Sequence, residues 1–318
     1  METVLVTGVA GFIGSNLCRE LLAQGYRVVG VDNFDEFLYA RAFKETQIAP
    51  CVGNPYFELV ELDICDRTKL MELAKRVAPT YIVHLAAKAN TRAAVNDPFP
   101  YVDTNIIGTL NIFEVGKELS VKNIASASSS SVYGNDTDLP LKESSPADHP
   151  ISPYGATKRA GELFAYAYHH NFGLNITCLR FFNAYGENNR PDMVPYRWAL
   201  ALLKGEEIEM SGGGTRRRDY TYIGDIVAGI IAAMKKPLGF EIINLGNSSP
   251  LSLNELLAVF EKVIGVKAQV KERPSHKASV EETFADVSKA KELLGWEPTT
   301  PTEEGISRLV AWMRANRL

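Results

Sequence analysis

The sequence predicts an α/β fold, a Rossmann-type doubly wound parallel sheet with a smaller C-terminal lobe. Three observations predict it. Short β-branched segments alternate with stretches of helical periodicity, which is typical of a parallel sheet covered by helices on both faces. A glycine-rich turn joins the first strand to the first helix. After Asn183 the composition changes, and residues 184–222 are rich in Gly, Pro, Asn and Arg, which indicates a second structural unit.

Hydrophobic periodicity and turn residues locate the strands and helices in the sequence. Short apolar runs bounded by turn residues indicate strands, and we predict them at 4–6, 26–31, 57–62, 81–85, 121–127 and 175–181. Apolar residues three and four positions apart indicate helices between these strands, at 12–24, 67–78, 101–119 and 153–172. Beyond Asn183 we predict a helix at 194–204, a helix and a strand at 224–236 and 241–246, and two or three helices within 250–318.

Composition excludes several classes of protein. The chain has 318 residues, of which 46% are hydrophobic and 23% charged, as in folded globular proteins rather than disordered or fibrous ones. The net charge of −4 disfavours nucleic acid as a partner. The longest apolar run, around 226–234, is too short to cross a bilayer, so we expect no membrane partner.

The four cysteines lie without disulfide or metal-ligand spacing. We therefore predict no metal site and a reduced protein. Residue 1 leads directly into an apolar strand, which leaves no room for a signal peptide, so we expect a cytoplasmic location.

The segment from Thr7 to Gly14 places Gly8, Gly11 and Gly14 between the first strand and the first helix. Such glycines let a pyrophosphate approach the backbone at the helix N-terminus. Glycine is routine in strand–helix turns, so the decisive feature is Asp32 at the end of the second strand, about twenty residues onward. Its carboxylate should accept a hydrogen bond from a ribose hydroxyl and repel a 2′-phosphate. The pattern therefore predicts NAD rather than NADP.

Two further motifs carry reactive side chains. Tyr154 and Lys158 lie one turn apart on a helix that begins at Pro153. Near a lysine ammonium and a nicotinamide cation the pKa of the tyrosine would be lowered, which would make it a usable base. Four serines, 128–131, follow a parallel strand at the edge where such sheets bind ligands. Alone, each motif is more often an ordinary exposed helix or a polar loop.

Together these motifs resemble the extended short-chain dehydrogenase/reductase family, in its nucleotide-sugar epimerase branch. The resemblance covers nearly the whole chain. It also includes the segments 84–87, 180–183, 218–222, 285–286 and 294–296, and Asn105. It implies NAD as the cofactor, a UDP-sugar as the substrate and a homodimer formed through the helices at 101–119 and 153–172.

Site residues follow from the resemblance position by position. It implies that the cofactor is bound by Gly8, Gly11, Phe12, Ile13, Gly14, Asp32, Asn33, Asp63, Ile64, Leu85, Ala86, Ala87, Asn105, Tyr154 and Lys158. It implies Tyr154 as the catalytic base, Lys158 as the residue that holds the nicotinamide ribose and Ser129 as the proton-relay hydroxyl. Substrate contacts are implied for Ser129, Ser130, Asn183, Arg190 and Arg218. His84 has no direct chemistry in the motif and is interpreted as structural.

The change of composition after Asn183 also divides the chain. We predict an NAD-binding domain formed by 1–183 and 224–247, and a nucleotide-sugar-binding lobe formed by 184–223 and 248–318. Within the lobe, the nucleotide contacts of 273–282 stay unassigned, with Arg273 and His276 both possible.

The choice of sugar depends on the segment Arg190-Pro191-Asp192-Met193, which is similar to the UDP-glucuronate 4-epimerase subgroup. There the arginine binds the C5 carboxylate, for which a guanidinium is well suited. Asn183 stands where that subgroup often has Thr, which keeps a UDP-glucose/UDP-galactose 4-epimerase open as an alternative. Lyase relatives carry a glutamate at the position of Ser131, so a dehydratase or decarboxylase is disfavoured. A non-catalytic NAD-binding regulatory protein is the remaining alternative.

Overall fold

The computed structural model describes residues 1–135, 138–274 and 280–316. His276, one of the two candidates for a nucleotide contact, lies outside these ranges. The strands are β1 Thr3–Thr7, β2 Arg27–Asp32, β3 Phe57–Glu61, β4 Tyr81–His84, β5 Asn123–Ser129, β6 Ile176–Phe181, β7 Asn183–Tyr185, β8 Ile208–Ser211, β9 Arg217–Tyr222, β10 Phe240–Leu245, β11 Pro250–Ser252, β12 Val270–Arg273 and β13 Glu282–Thr283.

The helices alternate with these strands over the first half of the chain. They are α1 Phe12–Ala23, α2 Arg41–Ile48, α3 Arg67–Val77, α4 Thr91–Asn96, α5 Phe99–Val102, α6 Thr109–Leu119, α7 Pro153–Phe172, α8 Val194–Lys204, α9 Ile223–Lys235, α10 Leu253–Ile264, α11 Ser288–Leu294 and α12 Thr302–Ala315. In the described ranges, no helix combines the length and the apolar character needed to cross a bilayer.

Seven parallel strands form the main sheet in the order β10-β6-β5-β4-β1-β2-β3. Their side chains alternate between two apolar layers: Val4 and Val6 pack on the side of α1 and α9, whereas Leu5 packs on the side of α3 and α6. The predicted Rossmann-type sheet is confirmed. The strand order reverses between β1 and β4, so the crevice where such sheets bind ligands opens at the carboxyl ends of these two strands.

Smaller sheets form beyond the main one. Strand β9 pairs with β7, with β11 and with β13, and β8 pairs with β12. Strand β9 therefore joins residues 184–223 to the segment after 248 through main-chain hydrogen bonds. The division into two domains stays a prediction.

Three features differ from the elements predicted from the sequence. Helix α2 was not predicted, because its run RAFKETQI is largely polar and only Gln47 and Ile48 are buried. The helix predicted at 101–119 begins at Phe99 and contains a π-helical segment, Asp103–Gly108, between α5 and α6. Strands β7 to β9 and β11 to β13 and the short helix α4 were also missed, because elements of two to six residues depend on contacts with distant partners.

Candidate active site

A cavity of about 610 Å³ lies along the carboxyl ends of the central strands and reaches the smaller sheets. It brings together all of the predicted site residues except Asn105. Its lining includes Gly8, Gly11, Phe12, Ile13, Gly14, Asp32, Asn33, Asp63, Ile64, Leu85, Ala86, Ala87, Ser129, Ser130, Tyr154, Lys158, Asn183, Arg190 and Arg218. Residues separated by up to 210 positions in the sequence, from Gly8 to Arg218, therefore share one site.

The glycine turn at one end of the cavity has no room for side chains. Gly8 has φ +72°, and a Cβ there would lie 2.7 Å from the Ala86 nitrogen. A Cβ on Gly14 would lie 2.8 Å from the Val9 Cα and would overlap the Gly8 carbonyl oxygen. The N-cap of α1, Gly11, supplies no side-chain hydrogen bond, so the first N–H groups of this helix are free to bind an anion. These features fit the pyrophosphate of NAD.

Asp32 is buried next to this turn. Its Oδ2 accepts a hydrogen bond from the Ala10 nitrogen at 3.1 Å, and its Oδ1 accepts one from the Phe34 nitrogen at 2.8 Å. The Lys44 ammonium on α2 lies 3.5 Å from Oδ1. The carboxylate predicted to bind the ribose is thus held in a fixed orientation. Lys44 was missed because the helix that carries it was not predicted.

The helix that carries Tyr154 and Lys158 begins as predicted. Pro153 occupies its first turn, and the Ser152 hydroxyl accepts a hydrogen bond from the Gly155 nitrogen at 3.1 Å. The Ser129 hydroxyl at the end of β5 donates a hydrogen bond to the Ser131 hydroxyl at 3.1 Å and accepts one from the Ser131 nitrogen at 3.1 Å. It also lies near enough to Tyr154 to lower the pKa of that hydroxyl, so the two groups predicted to handle the proton are neighbours.

Burial dominates the electrostatics of Tyr154. Burial raises the pKa of Tyr154, whereas the Ser129 hydrogen bond and the Arg190 charge lower it, and burial dominates. The expected help from Lys158 is missing, because its ammonium donates to the Ala127 carbonyl at 2.8 Å. Burial lowers the pKa of Lys158 to about 8. At Tyr154, burial therefore outweighs the contributions of Ser129 and Arg190 in the protein alone, and the lowering of its pKa expected beside NAD stays a prediction.

Asn105 and His84 lie behind the cavity. The Asn105 amide exchanges two hydrogen bonds with the main chain of Lys88, at 2.8 and 3.0 Å, and donates to the Thr157 hydroxyl. The structure therefore gives Asn105 a supporting position and no place in the lining. The His84 ring lies between the hydroxyls of Thr7 and Thr109, at 2.8 and 3.0 Å, and burial lowers its pKa to about 3.

Arginines line the other end of the cavity. Arg218 donates hydrogen bonds to the carbonyls of Arg217, Val280 and Glu281, and burial lowers its pKa. Arg216, which was not among the predicted substrate contacts, also lines the cavity. Its guanidinium contacts the Glu281 carboxylate at 3.0 Å. Two fixed positive charges thus face the same space, as the binding of a diphosphate requires.

Arg190 lies nearer to Tyr154 and is paired with a carboxylate. Its Nε and Nη2 donate to the Asp192 oxygens at 2.9 and 2.7 Å. Both side chains line the cavity and are mostly buried, with exposed fractions of 17% and 22%. Burial raises the pKa values of Tyr39, Tyr101 and Tyr154, and the positive charge of Arg190 opposes that rise at all three. The predicted carboxylate-binding group and the predicted base therefore share one pocket.

The main sheet is parallel and has a glycine turn at its switch point, and the Tyr154–Lys158 pair lines the same cavity. These features define an NAD-dependent enzyme of the extended short-chain dehydrogenase/reductase class. Residues 5–309 match the sequence model of the family described as GDP-mannose 4,6 dehydratase, and the chain belongs to this family.

Similar proteins within the family are epimerases. The UDP-glucuronate 4-epimerase of Thermodesulfobacterium geofontis is 42% identical over 317 residues, covering 99% of this chain and 97% of the relative. UDP-glucuronate 4-epimerase 4 of Arabidopsis thaliana is 39% identical, covering 98% and 75%. The crystal structure of UDP-glucuronic acid 4-epimerase from Bacillus cereus, in complex with UDP-glucuronic acid and NAD, superposes with a TM-score of 0.93 at 34% identity, with 99% of each chain covered.

A neutral-sugar enzyme is also similar. The UDP-glucose 4-epimerase of Thermotoga maritima, solved with UDP-glucose, superposes with a TM-score of 0.91 at 31% identity, covering 99% of this chain and 100% of that one. The fold thus carries epimerases for acidic and for neutral sugars, so the fold alone does not decide the sugar.

Proposed function

We propose that this protein is an NAD-dependent epimerase that interconverts UDP-glucuronate and UDP-galacturonate through a 4-keto sugar. The observation that carries the proposal is the position of Arg190 in the same pocket as Tyr154 and Ser129, close enough for its charge to oppose the burial that raises the tyrosine pKa. A base that faces the sugar 4-hydroxyl and a guanidinium that faces its carboxylate suit a uronate substrate.

Tyr154 and Ser129 move the proton in this proposal. Tyr154 in its tyrosinate form, with Ser129 beside it, takes the proton of the 4-hydroxyl and later returns it as tyrosine. NAD, when bound, supplies the oxidant for C4 and is regenerated in each cycle. Its positive ring favours the tyrosinate, which offsets the burial that raises the pKa of Tyr154 in the protein alone. Lys158 is one helical turn away, where we propose that it holds the nicotinamide ribose.

The nucleotide is held at the other end of the cavity. We propose that Arg218, Asn183 and also Arg216 bind the diphosphate, since all three line the cavity and the guanidinium of Arg218 is anchored on main-chain carbonyls. The 4-keto sugar must turn to present its other face to the cofactor. Firm contacts to the diphosphate and weaker contacts to the sugar allow that rotation.

Arg190 has a second task in the proposed reaction. A ketone at C4 makes the sugar a β-keto acid, which loses carbon dioxide when its carboxylate is desolvated and free to align. A charge-assisted contact with Arg190 keeps the negative charge on the carboxylate and opposes that loss. This distinguishes an epimerase from a decarboxylase that uses the same intermediate.

The test is to incubate the enzyme with UDP-glucuronate and, separately, with UDP-glucose, and to resolve the products by NMR. UDP-galacturonate should form from the first, with NAD⁺ unconsumed through many turnovers. Faster conversion of UDP-glucose would establish the neutral-sugar epimerase instead. Accumulation of NADH in step with product would show a net dehydrogenase, and no conversion of either sugar would favour the regulatory protein.

We also propose a homodimer in the cytoplasm. Helix α7 and the helical stretch 99–119 expose large apolar side chains, which monomers rarely leave in water over a contiguous area. These are Phe99, Ile107, Leu163, Tyr166 and Phe172, with exposed fractions from 46% to 75%. Light scattering should give twice the chain mass, and Leu163→Glu with Tyr166→Glu should give monomers.

The proposed cytoplasmic location is supported by the cysteines, since all four are free thiols.

A further inference from the structure

Arg190, which we assign to the sugar carboxylate, already faces a carboxylate of the protein. The Asp192 carboxylate accepts two hydrogen bonds, from the Nε and the Nη2 of Arg190, at 2.9 and 2.7 Å in a bidentate pair. A guanidinium has five N–H donors, so one edge is occupied and Nη1 stays available. Among the described residues, Asp192 is the only carboxylate that contacts Arg190. A uronate entering this pocket therefore meets an arginine whose charge is largely balanced.

The position of Asp192 is fixed from the far side of the cavity. The Nδ2 of Asn90, which follows β4, donates to Asp192 at 3.3 Å, and the Oδ1 of Asn90 caps the first N–H groups of α4. The Tyr101 hydroxyl donates to the main-chain carbonyl of Asn90 at 2.9 Å. These contacts with Asp192, with the start of α4 and with Tyr101 hold Asn90 in place, and Asn90 in turn holds Asp192.

The backbone of Asn90 is strained. It has φ +92° and ψ +101°, a conformation that residues with a side chain rarely adopt. Such strain persists where the surroundings enforce it and often marks a functional site. Here the strained residue lies in the segment after β4, and its side-chain hydrogen bond to Asp192 links that segment to the one that carries Asp192 and Arg190.

We propose that Asp192, held by Asn90, is a positioning residue that competes for Arg190 and limits how firmly the enzyme holds the sugar carboxylate. The inference rests on the proposed function, because it concerns a uronate that must turn at the 4-keto stage. A carboxylate gripped by an unshared guanidinium would be stabilised in one orientation, and that stabilisation would be lost on the way to the other. Sharing the guanidinium lowers this barrier and gives up some affinity.

The proposal predicts opposite changes in affinity and rate for Asp192→Asn. The amide keeps the shape but removes the competing charge, so UDP-glucuronate should bind about tenfold more tightly and kcat should fall by about the same factor. Affinity is measured by calorimetry in the NAD-loaded enzyme with Tyr154→Phe as background, to prevent turnover. UDP-glucose, which lacks the carboxylate, should bind within about twofold of the parent. Asp192→Glu restores the charge and should move affinity and kcat back toward the parent.

A second variant tests the same idea without touching the ion pair. Asn90→Gly relieves the backbone strain and removes the hydrogen bond to Asp192, so it should fold at least as stably and shift affinity and kcat in the same directions by about threefold. Ala78→Gly is the matched control. Ala78 also has positive φ, +46°, but it ends α3 far from the cavity, so its kinetics should equal those of the parent.

The outcomes separate this inference from the proposed function. If the parent epimerises UDP-glucuronate and Asp192→Asn binds it equally or more weakly, Asp192 only supports Arg190, and the inference is overturned while the function stands. Equal changes for UDP-glucuronate and UDP-glucose would also overturn it. A parent that does not act on UDP-glucuronate would overturn both. If Asp192→Asn is unstable to heating, Asn90→Gly decides by the same criteria.

Discussion

The two ends of the cavity are lined by different kinds of group, main chain at one end and charged side chains at the other. At the glycine turn the surface is main chain, and Gly8 and Gly14 leave no space for a further carbon. Around Arg190 the surface is side chain, and the charge of the arginine is shared with Asp192. The first end is shaped by close packing and tolerates no change of volume. The second is shaped by ion pairs, which side-chain rotation can rearrange.

This difference matches what an epimerase needs from the two ends. The cofactor must return the hydrogen to the carbon that lost it, so its position has to be fixed through the cycle. The sugar must turn between the two transfers, so its contacts have to be exchangeable. If the comparison holds, substitutions at the glycine turn should abolish binding outright, whereas those at the sugar end should change rate and selectivity.

The largest effect is expected for Gly14→Ala. The new methyl group would overlap the Gly8 carbonyl, so the turn must open and NAD affinity should fall more than about 100-fold, with a loss of about 1–3 kcal/mol in the free energy of unfolding. Calorimetric titration with NAD and urea unfolding measure both. Gly161→Ala is the control: on α7 the nearest neighbour of its Cβ would be a methyl carbon of Thr109 at 3.9 Å. That variant should keep its NAD affinity and gain about 0.5–1 kcal/mol.

Tyr154→Phe should lower turnover by about 100- to 10,000-fold while UDP-sugar affinity persists, because only the transferable proton is lost. Steady-state rates and calorimetry on the same preparation separate the two quantities. Tyr166→Phe removes a hydroxyl from an exposed position of the same helix and should leave turnover unchanged. Near-normal turnover of Tyr154→Phe would remove this residue from the mechanism.

Arg190→Ala should raise the barrier for UDP-glucuronate by about 2–4 kcal/mol, since a charge-assisted contact in a mostly buried pocket is lost. A neutral UDP-hexose should be affected much less. The variant should also release more decarboxylated 4-keto pentose per turnover than the parent, which mass spectrometry of the products detects. Equal losses on both sugars would show that Arg190 supports its loop, and the neutral-sugar epimerase would become the better interpretation.

Lys158→Met should inactivate the enzyme and yet stabilise the protein without cofactor, by roughly 1–3 kcal/mol near pH 7. The pKa of Lys158 is lowered to about 8, so at neutral pH the fold bears the cost of a buried charge. In the parent this cost disappears as the pH rises from about 8 to the ordinary lysine value, because the unfolded chain binds more protons there. Urea unfolding at pH 7 and pH 10 should show a smaller gain for the variant at pH 10. A destabilised variant at pH 7 would contradict the assignment.

The smallest effect concerns His84. Its pKa is lowered to about 3 by burial, so between pH 6.5 and 3 the unfolded chain binds a proton that the folded chain does not. The free energy of unfolding should therefore fall by about 1.4 kcal/mol for each pH unit below 6.5. His84→Gln should lose stability overall but show a flatter acid limb in urea unfolding measured from pH 6.5 to 5. An unchanged slope would mean that His84 titrates normally in the fold.

Short-range sequence patterns predicted most of the secondary structure around the main sheet. The strands of the main sheet and the helix of Tyr154 and Lys158 were located within a few residues, because each has an apolar period or a capping residue of its own. The glycine spacing and Asp32 indicated the cofactor for the same reason, since that motif lies within a single strand–helix–strand unit.

The sequence by itself determined the elements that a local rule specifies: the β-branched strands, the glycine turn at Gly8 to Gly14, and the one-turn spacing of Tyr154 and Lys158. Only the tertiary structure decided which charges meet. It paired Lys44 with Asp32, turned the Lys158 ammonium toward Ala127, and joined Asn90 to Asp192 across 102 positions of sequence. The physical reason is that backbone preference acts over a few residues, whereas ion pairs and pKa values depend on burial and on neighbours that only the folded chain brings together.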